Sequence, residues 1–499
     1  MYGENAINDH MLLRYGYVED LLTAFESFIY KDIKLPLLMI EAWYRFMRET
    51  VDEQLQSTEY VSRKRAECHE TTMSDYQKGF QKCVNRQGSF GYDPERTMVL
   101  ICGQFIDTAL KVLHDKHVLV MLTNGLDAAA IRGKEMPETF VLFDFTAEFL
   151  RIRRDKASLR EEWLPRIEEI IVKHKEHPLF ARNLFKGWML NQVIESISLL
   201  DTADMLLHQY PIGIILDHSE LIYPGNALSL LASTYNLPFL YVQNNLVSDV
   251  NIIPSWASYY CVWGRYTEDW LIQKGVDPYQ VRSIGNLRFE HDEKKARKTK
   301  QELLDELKIG EKMSILALTT QPYSESTNGI IMEWLREAIA DLSVVLVIQP
   351  HRDDFVSYDK WLDTRICSMP LGFTLQDLLA VSDFVATISS TTALEAAFYG
   401  KPLLVLQPPI PYHFNLNHND YHKHLAQAEA GLIVRSSLEL RGGLLKLLHN
   451  EKERAEILYR GSHFLHSSMV VDELLPSQRL YRLVKEIMSR KWLEGNEEV

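Results

Sequence analysis

The sequence has few cysteines and no excess of basic residues, and each of these absences excludes a class of protein. Its five cysteines lie far apart and form no CxxC pair, which argues against a disulfide framework or a zinc finger. Lys and Arg number 54 against 68 Asp and Glu, which gives a formal net charge of -14. Sequence-independent binding of DNA or RNA depends on neutralising phosphates, so we expect no nucleic-acid partner.

Long apolar runs are also missing. The longest, such as residues 344–348, have the length of a strand and are far too short to span a bilayer. The first residues show no basic segment followed by an apolar one, so no secretory signal is expected. We therefore expect a cytoplasmic protein without a transmembrane segment, and leave peripheral contact with a membrane and the oligomeric state open.

What the sequence does contain is typical of a packed, folded chain of several domains. It has 499 residues, of which 46% are hydrophobic and 24% charged. Changes in composition along the chain predict four parts. These are a helical N-terminal extension (residues 1–95), an N-terminal Rossmann-like domain (96–289), a C-terminal Rossmann-like domain (290–477) and a C-terminal helix with its tail (478–499).

Near-continuous apolar runs alternate with helical segments in both central parts. Such runs, separated by helices, are typical of parallel strands buried on both faces of a sheet. They predict an α/β protein with two doubly wound domains. The predicted strands are 98–103, 118–122, 140–145, 212–217, 239–242, 259–263, 314–318, 344–349, 384–388, 403–406 and 432–434.

The most informative segment is 382–406, in which a strand is followed by hydroxyl-bearing residues and a helix. Ser389, Ser390 and Thr391 precede the helix, where hydroxyls cap free amide groups. The same amides favour a bound phosphate. Glu395 lies one turn further along, where a carboxylate could accept hydrogen bonds from ribose hydroxyls. An ordinary capped helix would produce much of the same pattern.

This segment resembles the C-terminal half of GT-B-type glycosyltransferases. The resemblance is to the group that holds UDP-GlcNAc 2-epimerases, CDP-glycerol glycerophosphotransferases and Kdo- or sialyltransferases. It implies that Ser389, Ser390 and Thr391 meet the donor phosphates and that Glu395 holds the ribose. The matching residues are Asp383, Ser389, Ser390, Glu395, Gly400, Lys401 and Pro402.

Two further segments resemble the same group. Residues 262–289 are similar to its domain junction and offer Arg288 as a phosphate contact, although Leu287 stands where the pattern usually has Pro. A surface arginine on a linker is the alternative. Residues 347–352 are similar to its HP motif, whose histidine contacts the donor phosphate. That match implies donor contacts for His351 and Arg352, the latter replacing the motif's Pro. A strand-end histidine that only hydrogen-bonds its own loop is the alternative.

The nucleotide base is expected near the loops that follow two of the predicted elements. Thr320 and Tyr323 come after the first strand of the C-terminal domain, and Gln376 lies in a second loop region. Tyr323 could stack on the base, although packing is an equal alternative. The cluster His413, His418, His422 and His424 fits no zinc pattern, so we expect no metal there. The resemblance implies a metal-independent enzyme without a cofactor, whose substrate is a CMP-, CDP- or UDP-linked sugar.

Candidates for the catalytic base lie in the N-terminal domain. Asp217, His218 and Glu220 follow one predicted strand, and Asp107 follows the first. A carboxylate or imidazole within reach of an acceptor hydroxyl can remove its proton as the hydroxyl attacks. Helix capping is the alternative for Asp217, His218 and Asp107.

Together these features predict a metal-independent GT-B-type glycosyltransferase of surface-polysaccharide or glycoconjugate synthesis. It would move a sugar from a nucleotide-activated donor to a glycan, a lipid-linked acceptor or another hydroxyl. Two alternatives stay open: an enzyme similar to UDP-GlcNAc 2-epimerase, and a non-catalytic sugar-nucleotide binder or partner subunit.

Overall fold

The computed structural model describes most of the chain. The described residues are 7–84, 93, 95–155, 158–247, 252–291, 297–410 and 423–489. Within them, none of the helices is both long enough and apolar enough to cross a membrane.

The described strands form two large sheets and one hairpin. In chain order the strands are β1 (Ile29–Tyr30), β2 (Ile33–Lys34), β3 (Met98–Cys102), β4 (His117–Leu122), β5 (Phe140–Asp144), β6 (Ile212–Asp217), β7 (Phe239–Val242), β8 (Tyr259–Val262), β9 (Val281–Ser283), β10 (Ser314–Thr319), β11 (Val344–Gln349), β12 (Ile366–Ser368), β13 (Phe384–Thr387), β14 (Leu403–Leu406) and β15 (Leu432–Val434).

Helices precede the first sheet, connect the strands and end the described chain. They are α1 (Asp9–Ala24), α2 (Ile40–Gln54), α3 (Thr58–Glu67), α4 (Met73–Gln81), α5 (Ile106–Val112), α6 (Gly125–Ile131), α7 (Phe145–Asp155), α8 (Leu159–Lys173), α9 (Phe185–Gln209), α10 (Gly225–Thr234), α11 (Arg265–Gln273), α12 (Arg288–His291), α13 (Lys300–Glu306), α14 (Glu325–Ile339), α15 (Leu375–Val381), α16 (Thr392–Phe398), α17 (His424–Gln427), α18 (Ser437–His449), α19 (Glu451–Ser468) and α20 (Pro476–Ile487).

All strands of each large sheet are parallel, and in both sheets the order in which the chain adds strands reverses at the centre. The first has the strand order β5-β4-β3-β6-β7-β8-β9 and the second the order β12-β11-β10-β13-β14-β15. In each sheet the first three strands in the chain extend from the centre to one edge, and the later strands extend from the centre to the other edge. The reversal falls between β3 and β6 in the first sheet and between β10 and β13 in the second. Ligands of such sheets bind outside the carboxyl ends of the strands at this switch point.

The sheets belong to two compact units. One unit holds the first sheet, helices α1–α10 and the C-terminal helix α20, and the other holds the second sheet with α13–α19. Helix α20 contributes Leu480, Leu483 and Val484 to the core of the first sheet. Every residue of β3 is buried, as expected for a strand covered on both faces.

Buried hydrogen bonds connect the N-terminal helices with the chain around the first sheet. Gln77 Nε2 donates to the carbonyl of Ser255, and the Ser255 amide donates back to Gln77 Oε1 at 2.9 Å. Asn226 Nδ2 likewise donates to the carbonyl of Leu38 at 3.0 Å. Buried amides that find such partners avoid the cost of lost hydration, so these contacts hold the helices against the domain.

The predicted fold class is confirmed, because both large sheets consist of parallel strands connected through helices. The predicted strands all occur, with ends that differ by a few residues. The short strands β9 and β12 and the hairpin β1–β2 were not predicted. Strands of two or three residues, partly exposed, lack the continuous apolar run by which the longer strands are recognised.

Candidate functional site

The loops that follow β10 and β13 meet at the switch point of the second sheet. The amide of Ser389 donates to Gln321 Oε1 at 2.7 Å, and Gln321 Nε2 lies 3.0 Å from Ser389 Oγ. A second link joins the hydroxyls of Thr319 and Thr392, 2.7 Å apart. Side chains of the β10 loop therefore determine the course of the turn after β13.

That turn presents unpaired backbone donors at its surface. Ser390 Oγ accepts a hydrogen bond from the Thr392 amide at 3.2 Å, and the amides of Ala393 and Leu394 donate to the carbonyls of Ser390 and Thr391. Among the described residues, no acceptor is found for the amides of Ser390 and Thr391 themselves. Both residues are partly exposed. Amides left free at the start of a helix favour an anion.

Helix α16 carries the carboxylate that the resemblance assigns to the ribose. Glu395 lies in the first turn of this seven-residue helix and is partly exposed. The helix ends at Gly400, which adopts a φ of 64°, a conformation that favours glycine. The amide of Lys401 donates to the Ala396 carbonyl at 2.9 Å, which closes the end of the helix. This end explains why Gly and Lys follow the helix before Pro402 opens β14.

Asp383, another residue of the matched motif, has a structural position. Its Oδ2 accepts hydrogen bonds from the Ile315 amide at 2.7 Å and from Lys300 Nζ at 2.6 Å. Because Asp383 precedes β13, it lies at the amino end of that strand, opposite to the candidate site. It joins the start of β13 to the start of β10.

A hydrogen-bonded hub at Asp354 shapes the loop that follows β11. The hydroxyl of Thr320 donates to Asp354 and accepts from the His351 amide at 3.0 Å. Asp354 Oδ2 also accepts from the Tyr358 hydroxyl at 2.7 Å. Burial raises the pKa of Tyr358, so its hydroxyl remains a donor at neutral pH. The hub connects the β11 loop with the β10 loop and thereby positions His351.

The imidazole of His351 is held with one nitrogen toward its own loop. Its Nδ1 accepts a hydrogen bond from the Asp353 amide at 3.1 Å, and 41% of its side chain is exposed. In the neutral ring the proton is therefore on Nε2, which becomes a donor. The neighbouring Arg352 is exposed and lies 3.3 Å from the Asp353 carboxylate. This loop thus offers an N–H and a guanidinium.

Three predicted donor contacts lie deeper than the resemblance implied. The Ser389 hydroxyl is in a side chain that is only 1% exposed, and it lies 3.3 Å from the Tyr323 hydroxyl. The ring of Tyr323 is packed in the core of its domain, and burial raises its pKa to about 12. Thr320 is also buried. These three side chains position the loops, and no face of Tyr323 is presented for stacking.

Two other predicted donor contacts are at least partly exposed. Gln376 is partly exposed near the start of α15, after β12. Arg288 is the exposed first residue of α12 and belongs to the other compact unit. Its amide donates to Asn286 Oδ1 at 3.0 Å, and Gly285 before it has a φ of 91°. The glycine therefore permits the tight turn before α12.

In the first sheet, three side chains converge at the switch point. Cys102 is the last residue of β3, Asp217 the last of β6, and His218 follows Asp217. His218 Nδ1 lies 3.5 Å from Cys102 Sγ and 3.3 Å from Asp217 Oδ1. Cys102 and Asp217 are buried, whereas 32% of the His218 side chain is exposed. Two of the predicted base candidates are thus together, with a thiol that was not predicted.

Burial governs the protonation of both strand-end groups. It raises the pKa of the Cys102 thiol well above its usual range, and the carboxylates of Asp217 and Asp127 act in the same direction. It also raises the pKa of Asp217, while His218 and the backbone donors of His218 and Ser219 oppose that shift. The carboxylate of Asp217 is held by those two amides at 2.6 and 3.2 Å.

The other two base candidates do not join this group. Glu220 is fully buried, and its oxygens accept from the Trp256 amide at 2.9 Å and the Tyr260 hydroxyl at 2.7 Å. Both oxygens are thus occupied by the protein's own donors. Asp107 is exposed on α5 and forms an ion pair with Lys134.

Comparison with solved structures identifies the fold. A protein of Listeria monocytogenes provisionally named a UDP-N-acetylglucosamine 2-epimerase is 13% identical and superposes with a TM-score of 0.50, over 78% of this chain and 96% of that one. A structure of UDP-N-acetylglucosamine 2-epimerase is 14% identical, with a TM-score of 0.50 over 81% and 97%. The chain has a GT-B-type fold.

The remaining comparisons do not assign the chain to a protein family. The glycotransferase of kitacinnamycin is 12% identical and reaches a TM-score of 0.49 over 79% of this chain and 99% of that one. No protein-family model matches the sequence, and no curated protein matches it. At these identities the likeness concerns the fold alone.

Sequence reasoning missed the residues that organise both switch points. Gln321, Asn328 and Asp354 hold the C-terminal loops, and Asn328 Nδ2 donates to the Gln321 carbonyl at 3.0 Å. No local pattern distinguishes them from ordinary loop residues. Cys102 carried a usable signal, because it lies near the carboxyl end of the predicted strand 98–103, where ligands of such sheets bind. Of the histidine-rich loop, His413, His418 and His422 lie outside the described residues, and His424 is buried at the start of α17.

Proposed function

We propose that the protein transfers a sugar from a nucleotide-activated donor to a hydroxyl acceptor, with the second sheet as donor domain. The observation that carries the proposal is the turn at Ser390 and Thr391. Its two amides, for which the described part of the chain offers no acceptor, lie at the switch point of a parallel sheet, where such folds bind phosphorylated ligands. The same turn belongs to the segment that resembles the donor site of GT-B-type transferases.

The donor would be held from two neighbouring loops. The amides and hydroxyls of Ser390 and Thr391 contact the phosphates, and His351 Nε2 and Arg352 donate from the β11 loop. Glu395 accepts hydrogen bonds from the ribose. Fixed donors of this kind stabilise the charge that develops on a leaving phosphate, which is why we propose that the donor side works without a metal. Ser389, Thr320 and Tyr323 act by positioning these loops.

On the acceptor side, we propose that the group at Asp217 and His218 activates the attacking hydroxyl. The pair lies at the carboxyl end of β6, and His218 is the partly exposed member. Glu220 takes no part, because its oxygens are engaged by buried donors. The free thiols of all five cysteines support a reducing compartment such as the cytoplasm.

Nucleotide binding is the first test. Purified protein is screened by thermal shift against CMP, CDP, UDP and GDP, and the best ligand is then titrated by calorimetry. The His351→Ala variant should bind that nucleotide more weakly, because it loses a phosphate donor. The matched control is His466→Ala, which removes an exposed histidine from α19 of the same unit. Absence of binding by all four nucleotides would contradict the proposed donor site.

An epimerase acting on a UDP-sugar is the second candidate, since the two structures with a TM-score of 0.50 carry that name. The candidates differ in one requirement. A transferase consumes the donor only when an acceptor is present, whereas an epimerase changes the sugar without one. Incubation of the UDP-sugar alone, followed by separation of the sugar isomers, distinguishes the two activities.

A further inference from the structure

We propose that Cys102, Asp217 and His218 bind a divalent transition-metal ion, best matched by Zn²⁺, at the switch point of the first sheet. The three side chains offer a thiolate, a carboxylate and an imidazole, which together suit zinc. Their ligand atoms all lie within 4.8 Å of one another, and among the described residues they are the one such group.

The two distances from His218 Nδ1 to the other ligand atoms agree with tetrahedral coordination. His218 Nδ1 lies 3.5 Å from Cys102 Sγ and 3.3 Å from Asp217 Oδ1. Zinc binds sulfur at about 2.3 Å and nitrogen or oxygen at about 2.0–2.1 Å, so tetrahedral angles separate these ligand pairs by roughly 3.5 and 3.3 Å. The third pair, Cys102 Sγ and the Asp217 carboxylate, lies within 4.8 Å.

The same geometry is unsuited to a cysteine nucleophile activated by histidine. Such a triad uses one imidazole nitrogen for the thiol and the other for the carboxylate. Here a single nitrogen, His218 Nδ1, faces both Cys102 and Asp217. A metal ion requires ligand atoms that face one common point, as these atoms do.

The ligands are held by rigid elements. Strands β3 and β6 are paired in parallel, with Ile101 opposite Leu216, so the two strand ends lie side by side. The backbone amides of His218 and Ser219 both donate to Asp217 Oδ1 and so orient the carboxylate. Hydrogen bonds to a ligating carboxylate are a regular feature of metal sites, because they fix its direction.

The charge balance also favours a cation. Asp217 is buried, and within the described ranges its one ion-pair partner is His218, with no Lys or Arg against it. Buried carboxylates are generally paired with a cation or coordinate a metal. A divalent ion would supply the missing positive charge.

Three protein ligands leave one coordination position open. Only His218 of the three is partly exposed, so the open position is on its solvent side. Zinc sites with three protein ligands and a water are typical of catalysis, since the metal lowers the pKa of a bound water to about 7. If the proposed transfer is correct, this position takes the acceptor hydroxyl and makes its proton easier to remove. That last role rests on the proposed function, whereas metal binding itself does not.

The test is direct metal binding by the full-length chain after treatment with a chelator. Titration with Zn²⁺ and Co²⁺ should show one equivalent, and Co²⁺ should show the charge-transfer absorption of a thiolate ligand. Cys102→Ser should abolish that absorption, and His218→Ala should weaken Zn²⁺ binding at least ~100-fold. The matched control is Cys261→Ser, which changes the other buried cysteine of the same sheet and should leave both signals intact.

Several results would overturn the site. They are failure to bind one equivalent, an unchanged thiolate signal in Cys102→Ser, and loss of that signal in Cys261→Ser. Circular dichroism monitors folding of each variant. If Cys102→Ser does not fold, X-ray absorption spectroscopy of the zinc-loaded parent protein decides. One sulfur ligand to the zinc is expected, and a spectrum with no sulfur ligand or with several would contradict the proposed site. Nucleotide affinity measured with and without chelator separates failure of this site from failure of the donor site.

Discussion

The two sheets reach the same topology with different chemistry at their switch points. Beyond β10 and β13 the second sheet presents amides, hydroxyls and an imidazole, which suit an anion. Beyond β3 and β6 the first sheet presents a thiol, a carboxylate and an imidazole, which suit a cation or a proton transfer. The fold thus determines where a ligand binds, while the residues at the strand ends determine which ligand it is.

The two sites also differ in how their groups are positioned. In the first sheet Cys102 and Asp217 are themselves the last residues of strands, so strand pairing alone places them. In the second sheet the exposed turn depends on side chains of another loop, chiefly the partly buried Gln321. The first arrangement depends on the sheet, and the second depends on a polar network that single substitutions can disrupt.

The largest expected effect is a loss of turnover that leaves donor binding intact. Asp217→Asn keeps the shape of the side chain but removes its charge, so turnover should fall by ~10²- to 10⁴-fold while nucleotide affinity is unchanged. Turnover is measured with the nucleotide-sugar found by the screen. The matched control is Asp115→Asn, an exposed aspartate of the same unit, which should retain full turnover. Equal turnover of Asp217→Asn and its parent would remove the acceptor role of the first switch point.

The converse effect is expected in the second sheet. Glu395→Ala removes the proposed acceptor of the ribose hydroxyls. Hydrogen bonds to a charged group contribute about 1.5–3 kcal/mol, so nucleotide affinity should fall roughly 10- to 100-fold. Calorimetry measures the change, with the exposed Glu451→Ala on α19 as control. An unchanged affinity would show that Glu395 does not contact the nucleotide.

A third variant tests the polar network rather than the ligand. Ser389→Ala removes the hydroxyl that accepts from the partly buried Gln321 Nε2, while the backbone amide of residue 389 still donates to Gln321 Oε1, so the free energy of unfolding should fall by about 1 kcal/mol. Denaturant unfolding measures it, and Ser326→Ala, at an exposed serine of α14, is the control. If Ser389→Ala is as stable as its parent but binds nucleotide far more weakly, Ser389 contacts the donor after all.

The smallest effect concerns pH. Burial raises the pKa of Tyr323 from the ordinary 10.0 to about 12 in the folded chain. Between these values the unfolded chain loses the proton that the folded chain keeps, so rising pH favours unfolding. The parent should therefore lose more stability across this range than Tyr323→Phe, as followed by melting temperature. Parallel curves for the two proteins would contradict the burial of this hydroxyl.

The sequence predicted the sheets well and the individual contacts less well. A buried parallel strand such as β11 is apolar throughout, and that pattern is visible in a single sequence. Whether a polar residue within a site motif is buried depends on residues far away in the chain. Ser389 and Ser390 are neighbours of one type, yet only the first is covered by Gln321 and Tyr323. No local pattern distinguishes the two.

By itself, the sequence determined the fold class and the place of the segment 389–395 at the end of a strand. Both follow from local patterns: apolar runs that must be buried, and hydroxyls that cap a helix. Only the tertiary structure decided that Cys102 lies beside His218, which is 116 positions away. The physical reason is strand order, since β3 and β6 become neighbours only when the chain reverses at the centre of the sheet. Hydrogen bonding across that junction then brings the two strand ends to the same place.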